Sequence, residues 1–203
     1  MDLNTWLVYV VAVTGLSLSP GPNGLLALTH GAVYGWRKAT FTVAGGVFGF
    51  VVVIALSMFG IGALLQESLT WLTLMKWVGG AYLVWLGIQV WRSPPVGVQL
   101  GAPANERSGA SMFRQGALSA LTNPKVLLFF AAFLPHFIDP AGSLVTQFVV
   151  MAGTFALFEF ATELLIVAMA QRINARLARA GKRFNQICGG LFVTIGAALT
   201  LRG

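Results

Sequence analysis

Three ionisable side chains stand where this sequence has least use for charge. Lys125, Glu159 and Glu163 lie inside apolar stretches of a 203-residue chain that is 57% hydrophobic and only 9% charged. A charge at the centre of a membrane-crossing helix costs about 2.5 to 3.5 kcal/mol on insertion scales, so each of the three is a functional candidate by position alone. Glu159 and Glu163 are one helical turn apart and share a face. A carboxylate withdrawn from water is costly unless it meets a cation or takes up a proton. Glu159, near the centre of its span, is therefore a candidate to exchange a proton for the ammonium group of a solute. Glu163 is a second proton-coupling candidate, close enough to the cytoplasmic end to reach water instead. Lys125 opposes the dipole of any helix beginning at Pro124, a conflict that Glu159 or a solute carboxylate would resolve.

The second group of candidates breaks helices. "LSLSPGPN" at 16–23 and "LTNPK" at 121–125 place proline beside asparagine within apolar runs. Proline removes a backbone donor and clashes with the carbonyl four residues earlier. Hydrocarbon supplies no replacement partner, so irregular backbone persists only where it is buried in protein or lines a wet cavity. Asn123 is suited to cap a new half-helix with Pro124 at its first position, and Ser19 or Gly21 could cap before Pro20 or Pro22. The N-terminus of such a half-helix attracts a carboxylate. Ser19, Gly21, Pro22, Asn23, Asn123, Pro124 and Lys125 are accordingly the expected substrate-binding residues.

The elements that must hold these groups follow from the apolar runs, which exceed the ~20 residues needed to cross a bilayer and tile nearly the whole chain. The expected fold is an all-α polytopic membrane protein with helices at 3–34 (interrupted), 40–65, 69–91, 113–137 (interrupted), 144–170 and 184–201. The N-terminus starts acidic and runs straight into an apolar span, which reads as a permanent helix rather than a cleaved leader. A segment rich in Pro, Gly, Ala and Ser at 92–112 reads as a linker. It separates a first three-helix repeat at 1–91 from a second at 113–203, within one membrane domain.

The two halves share motifs in the same order. "GLSLSPGPN" from Gly15 aligns with "GALSALTNP" from Gly116, "AGGVF" at 44–48 with "MAGTF" at 151–155, and "VGGAYLVWLG" at 78–87 with "CGGLFVTIG" at 188–196. A three-helix unit enters on one face and leaves on the other, so the repeats must be inverted. Inverted repeats whose broken helices correspond point to a transporter with its site near the bilayer midplane.

Most of the thirteen lysines and arginines fall in the first, third and fifth loops: Arg37 and Lys38, then Arg92, Arg107 and Arg114, then Arg172, Arg176, Arg179, Lys182 and Arg183. Cytoplasmic loops accumulate such residues, which places those three loops in the cytoplasm and both termini in the periplasm. The net charge of +7 is thus a topology signal and not a nucleic-acid footprint. Trp6, Trp36, Trp71 and Trp91 fall near helix ends, as an interfacial belt requires. Glycines at 45, 46, 49, 79, 80, 87, 189, 190 and 196 read as close helix contacts. His30 and His136 read as hydrogen-bonding residues at helix ends, and the single Cys188 as a small core residue.

An intramembrane enzyme would need a nucleophile with its base, or a metal cluster. The sequence has neither HExxH nor GxSxG, and only the Glu159–Glu163 pair could support catalysis. A structural or signalling membrane module would have no use for paired helix breaks around buried charges. The reading calls for no cofactor and no metal; its partners are a small solute bearing a carboxylate and an ammonium group, protons and the lipid bilayer, and the chain is compatible with a monomer or a homodimer.

The residues also resemble a known family, the LysE/RhtB-type amino-acid exporters of bacterial inner membranes. The resemblance rests on "LSPGPN" at 18–23, "GWRKA" at 35–39, "KWVGGAYLVWLG" at 76–87, "LTNPK" at 121–125 followed by "LFFAAFLPHF" at 128–137, and "AQRI" at 170–173. It covers essentially the full chain and looks closest to the homoserine and threonine efflux branch. It implies export of a small neutral amino acid or derivative driven by the proton gradient, with an acidic residue in helix five that Glu159 matches. "PHF" stands where "PQF" is common.

Overall fold

A computed structural model describes residues 3–19, 21–67, 69–92 and 108–202. Its elements are α1 (Leu3–Leu18), α2 (Pro22–Tyr34), α3 (Trp36–Glu67), α4 (Leu69–Arg92), α5 (Gly109–Leu121), α6 (Pro124–Phe133), a 3-10 turn (Leu134–His136) and α7 (Leu144–Arg202). No strand occurs among the described residues. The expected linker at 92–112 lies mostly outside the described residues, and α5 begins at Gly109, four positions before the second repeat was expected to start.

Trp36–Gly60 and Leu144–Met169 are long and apolar enough to cross a membrane. Two further pairs meet the same requirement only together, across a sharp bend: α1 with α2 at 54°, and Gly109–Leu121 with Lys125–His136 at 53°. Both bends fall where proline was expected to interrupt a span. Side-chain placement also fits a membrane. Leu3, Leu7, Phe41, Leu56, Trp85, Leu157 and Leu165 face outward, while Asn23, Thr42, Asn123, Glu159 and Glu163 are buried. A water-soluble helix would put its polar face outside; here the solvent for the outer face is hydrocarbon.

One expectation is corrected. Helices at 144–170 and 184–201 were to be joined by a basic loop, yet the backbone stays helical from Leu144 to Arg202. The joining segment, 171–183, holds four Arg and three Ala, strong helix formers that hold the conformation without a hydrophobic run. The run cannot be straight. Phe155 and Phe192 would then be about 55 Å apart at 1.5 Å per residue. Instead Phe155 packs on Phe130 (5.1 Å between ring centroids), Phe130 on Phe129 (5.3 Å) and Phe129 on Phe192 (5.8 Å). The helical run therefore turns back on itself, and its two ends pack into the same aromatic core.

Close approach of backbones is set by glycine. A Cβ at Gly45 would overlap the carbonyl of Phe113, and one at Gly116 the carbonyl of Thr42, so α3 and α5 touch along their main chains. Gly79 lies against the carbonyl of Ala132 in α6 in the same way, and Gly87 and Gly189 pack α4 on the C-terminal part of α7. With no hydrophobic drive between helices in lipid, such contacts supply dispersion over a long interface. On the N-terminal side, the Tyr9 hydroxyl donates to the Met151 carbonyl (2.9 Å) and Trp6 Nε1 to Thr154 Oγ1 (3.2 Å), fixing α1 beside α7. Trp6, expected in the interfacial belt, is half-buried in this contact. Gly35, at φ 82°, turns the chain from α2 into α3, a backbone state L side chains rarely adopt.

Candidate functional site

The first break begins when α1 ends at Leu18 and the Ser19 amide closes its last turn on the Gly15 and Leu16 carbonyls. Gly21 is extended (φ −142°, ψ 173°) and Pro22 starts α2 as its first residue. The N-cap is thus Gly21 and not Ser19, and no side chain caps this helix. The second break is built differently. Asn123 is extended (φ −76°, ψ 104°), its Oδ1 accepts from the Lys125 amide at 3.1 Å, and Pro124 occupies the first position of α6. The Val126 amide bonds back to the Asn123 carbonyl. Sequence reasoning expected both half-helices to offer free amides. At α6 the first amides are instead used by Asn123, whose side chain and carbonyl satisfy them locally, and the cation that follows is the group left to offer.

That cation crosses to the other break. Lys125 Nζ donates to the Ser19 carbonyl at 3.0 Å, and a Cβ on Gly21 would lie 3.4 Å from Lys125 Nζ and 3.8 Å from Asn123 Nδ2. Facing them is α7. Glu159 and Glu163 are 5% and 2% exposed, and Lys125 is within electrostatic reach of Glu159. Asn23 Nδ2 donates to Glu163 Oε1 at 2.8 Å, and the Asn23 amide is backed by Gly46 of α3, where a Cβ would overlap it. Glu163 is therefore withdrawn from solvent and tied into the first break.

These groups line one cavity. Ser19, Gly21, Asn23, Asn123, Lys125, Glu159 and Glu163 all contribute to it. Pro22 is not among the lining residues. Sequence reasoning missed Ser17, Gly24 and the apolar wall of Leu16, Phe50, Val126 and Phe155. Ser17, two residues before Ser19 in "LSLSP", was the one visible signal. About 20 Å³ of the cavity is open to the centre of a water molecule, room for roughly one water. An amino acid would enter only if the breaks moved.

Asn23 Oδ1, Glu159 Oε2, Glu163 Oε2 and the hydroxyl of Ser19 are buried without a hydrogen-bond partner in the protein, and the Ser17 hydroxyl lies beside Glu159. Each unpartnered group costs about 1–3 kcal/mol, more when charged. Among the described residues, no three His, Cys, Asp or Glu side chains come together as a metal-ligand set.

The remaining singled-out residues lie elsewhere. His30 Nδ1 pairs with Thr42 Oγ1 at 2.6 Å and its ring stands edge-on to Tyr34, joining α2 to α3. His136 belongs to the 3-10 turn after α6. Cys188 is a buried core residue.

The family description "LysE type translocator" matches residues 14–203, the stretch that contains both breaks and both carboxylates. The chain belongs to the LysE type translocator family. Membership assigns this translocator to transport and not to catalysis. It is 34% identical over 201 residues to a "Homoserine/homoserine lactone efflux protein" of Salmonella typhimurium, covering 98% of this chain and 97% of the relative. It is 34% identical over 201 residues to an "Uncharacterized membrane protein" of Vibrio cholerae, covering 98% of both chains. A "Leucine efflux protein" of an Enterobacter species is 29% identical over 201 residues, covering 97% of this chain and 95% of that one. No solved structure matches the chain.

Proposed function

We propose that this translocator exports a small amino acid or derivative, of homoserine or threonine type, across the bacterial inner membrane by proton antiport. The observation that carries the reading is the meeting of two helix breaks at one buried polar cavity, with a cation from the second break held on the first and two carboxylates opposite. A zwitterion matches this distribution of charge. Its carboxylate takes the place of the Ser19 carbonyl as partner of Lys125, near the uncapped N-terminus of α2. Its ammonium group brings three donors to the acceptors of Ser17, Asn23 and Glu159, and a proton on Glu159 leaves as the ammonium arrives. The efflux named for the relatives, of homoserine and its lactone and of leucine, supports a small amino-acid cargo.

The architecture goes with this reading as two inverted repeats, 1–91 and 113–203, joined by a cytoplasmic linker at 92–112, with both termini periplasmic. Reciprocal glycine contacts support the inverted pairing. The motif at 78–87 resembles that at 188–196; the last glycine of the first, Gly87, packs on Gly189 of the second, and Gly196 of the second packs on Gly80 of the first. A two-fold relation between the motifs demands that exchange.

The test is counterflow in proteoliposomes with a panel of amino acids, with and without an imposed pH gradient. Wild type is expected to exchange small neutral amino acids and to accumulate them when the gradient favours proton exit. Asn123→Ala and Glu159→Gln are expected to lose this activity. Flux of every panel member in Glu159→Gln, with unchanged pH dependence, rules the coupling assignment out.

A further inference from the structure

The cavity is lined by polar and by apolar side chains, and the two kinds are neighbours in the chain. Val126 follows Lys125, Leu16 precedes Ser17, and Phe155 lies one turn of α7 before Glu159. The groups that would hold an amino acid's head are thereby in fixed register with a wall that its side chain must meet.

The geometry points to Phe50 and Phe155 as the specificity-determining residues of this translocator: they are the two aromatic side chains lining the cavity, and they restrict the substrate to a small, neutral side chain. The inference rests on the transporter reading above and deepens it. Both rings are almost fully buried, at 2% and 1% exposed. They meet edge-on at 5.6 Å, and Phe155 stands edge-on to Phe130 behind it at 5.1 Å. Phe155 cannot retreat toward Phe130. Nor can the backbone withdraw on the α3 side: Gly49, beside Phe50, is so close to α5 that a Cβ there would lie 2.7 Å from the Ala117 carbonyl. Room beside the two rings therefore depends on their size. Leu16, Phe50, Val126 and Phe155 offer no side-chain acceptor, so a lysine or arginine side chain directed there would lose its hydration with no partner in return.

The experiment is competitive counterflow in proteoliposomes with alanine, homoserine, leucine, phenylalanine and lysine, for wild type, Phe50→Ala, Phe155→Ala and Phe50→Trp. The Phe→Ala variants are expected to raise leucine and phenylalanine relative to alanine by about ten-fold or more, the discrimination that a few methylenes in an apolar pocket carry. Phe50→Trp is expected to shift the ratio the other way, and lysine to be excluded throughout. The ratio is the readout that a purely structural role would not move. Unchanged ratios in folded protein, including an equal loss for all substrates, overturn the assignment. Should Phe50→Ala fail to fold, Phe50→Leu is read by the same ratio. No flux of any amino acid by wild type is a different result, and defeats the transporter reading itself.

Discussion

Lys125 Nζ lies 3.0 Å from the backbone carbonyl of Ser19, a hydrogen bond between residues more than a hundred positions apart that joins the two helix breaks directly. A carbonyl left behind by an interrupted helix needs a donor, and in a membrane interior only protein can provide it. The ammonium of Lys125 does so, and in the same position it is within electrostatic reach of Glu159.

Replacing Lys125 therefore removes two things at once. Lys125→Met is expected to abolish counterflow, because the Ser19 carbonyl and the facing carboxylates then lack their cation. Lys125→Arg keeps the charge but cannot place a planar fork where a point donor sits beside Gly21; about a ten-fold loss in rate is expected. Equal activity of Lys125→Met and wild type in reconstituted vesicles contradicts the assignment.

The two carboxylates are predicted to differ. In Glu163→Gln the amide oxygen still accepts from Asn23 Nδ2, so the first break keeps its support and exchange is expected to persist at a reduced rate. Glu159→Gln leaves no group to exchange a proton beside Lys125, and both exchange and its response to pH are expected to disappear. Rates across external pH for the two variants, side by side, decide the matter.

Gly46 is predicted to matter through Asn23. A methyl group at this position would overlap the Asn23 amide, and Gly46→Ala is expected to displace Asn23 from Glu163 and cut transport more than stability. Purified protein with near-normal thermal stability and full transport would count against this coupling.

The glycines of the matched motifs are predicted to separate into two kinds. Gly45→Ala and Gly116→Ala drive a methyl group into a neighbouring backbone carbonyl, and each is expected to destabilise by about 1–3 kcal/mol, as overpacking does. Gly153, in the motif matching that of Gly45, has nothing within 4 Å of an added Cβ. Gly153→Ala is expected to be neutral or to gain up to about 1 kcal/mol from helix propensity. Thermal unfolding in detergent compares all three.

The contrast between Gly45 and Gly153 shows where the sequence stops being informative. Both stand in apolar helices in matching motifs, yet one touches a main chain and the other open space. The same holds for the site. Asn123 was recognisable as a cap because the capping bond spans two residues, and the breaks were recognisable because proline lacks an N–H wherever it stands. The Phe50–Phe155 wall was not, since an aromatic residue in an apolar run looks the same whether it faces a cavity, a helix or lipid. The helical backbone across 171–183 was not legible because the apolar run ends near 170, whereas Arg and Ala favour helix whatever side they face.

From sequence alone came the membrane environment, the positions of both interruptions and the three charges that the bilayer makes conspicuous, all consequences of local covalent chemistry and of composition. Tertiary structure decided the partnerships: Lys125 with the Ser19 carbonyl, Asn23 with Glu163, and the two ends of α7 in one core. Those depend on distances between segments far apart in the chain, set by how closely glycine lets helices approach, and no local pattern encodes them.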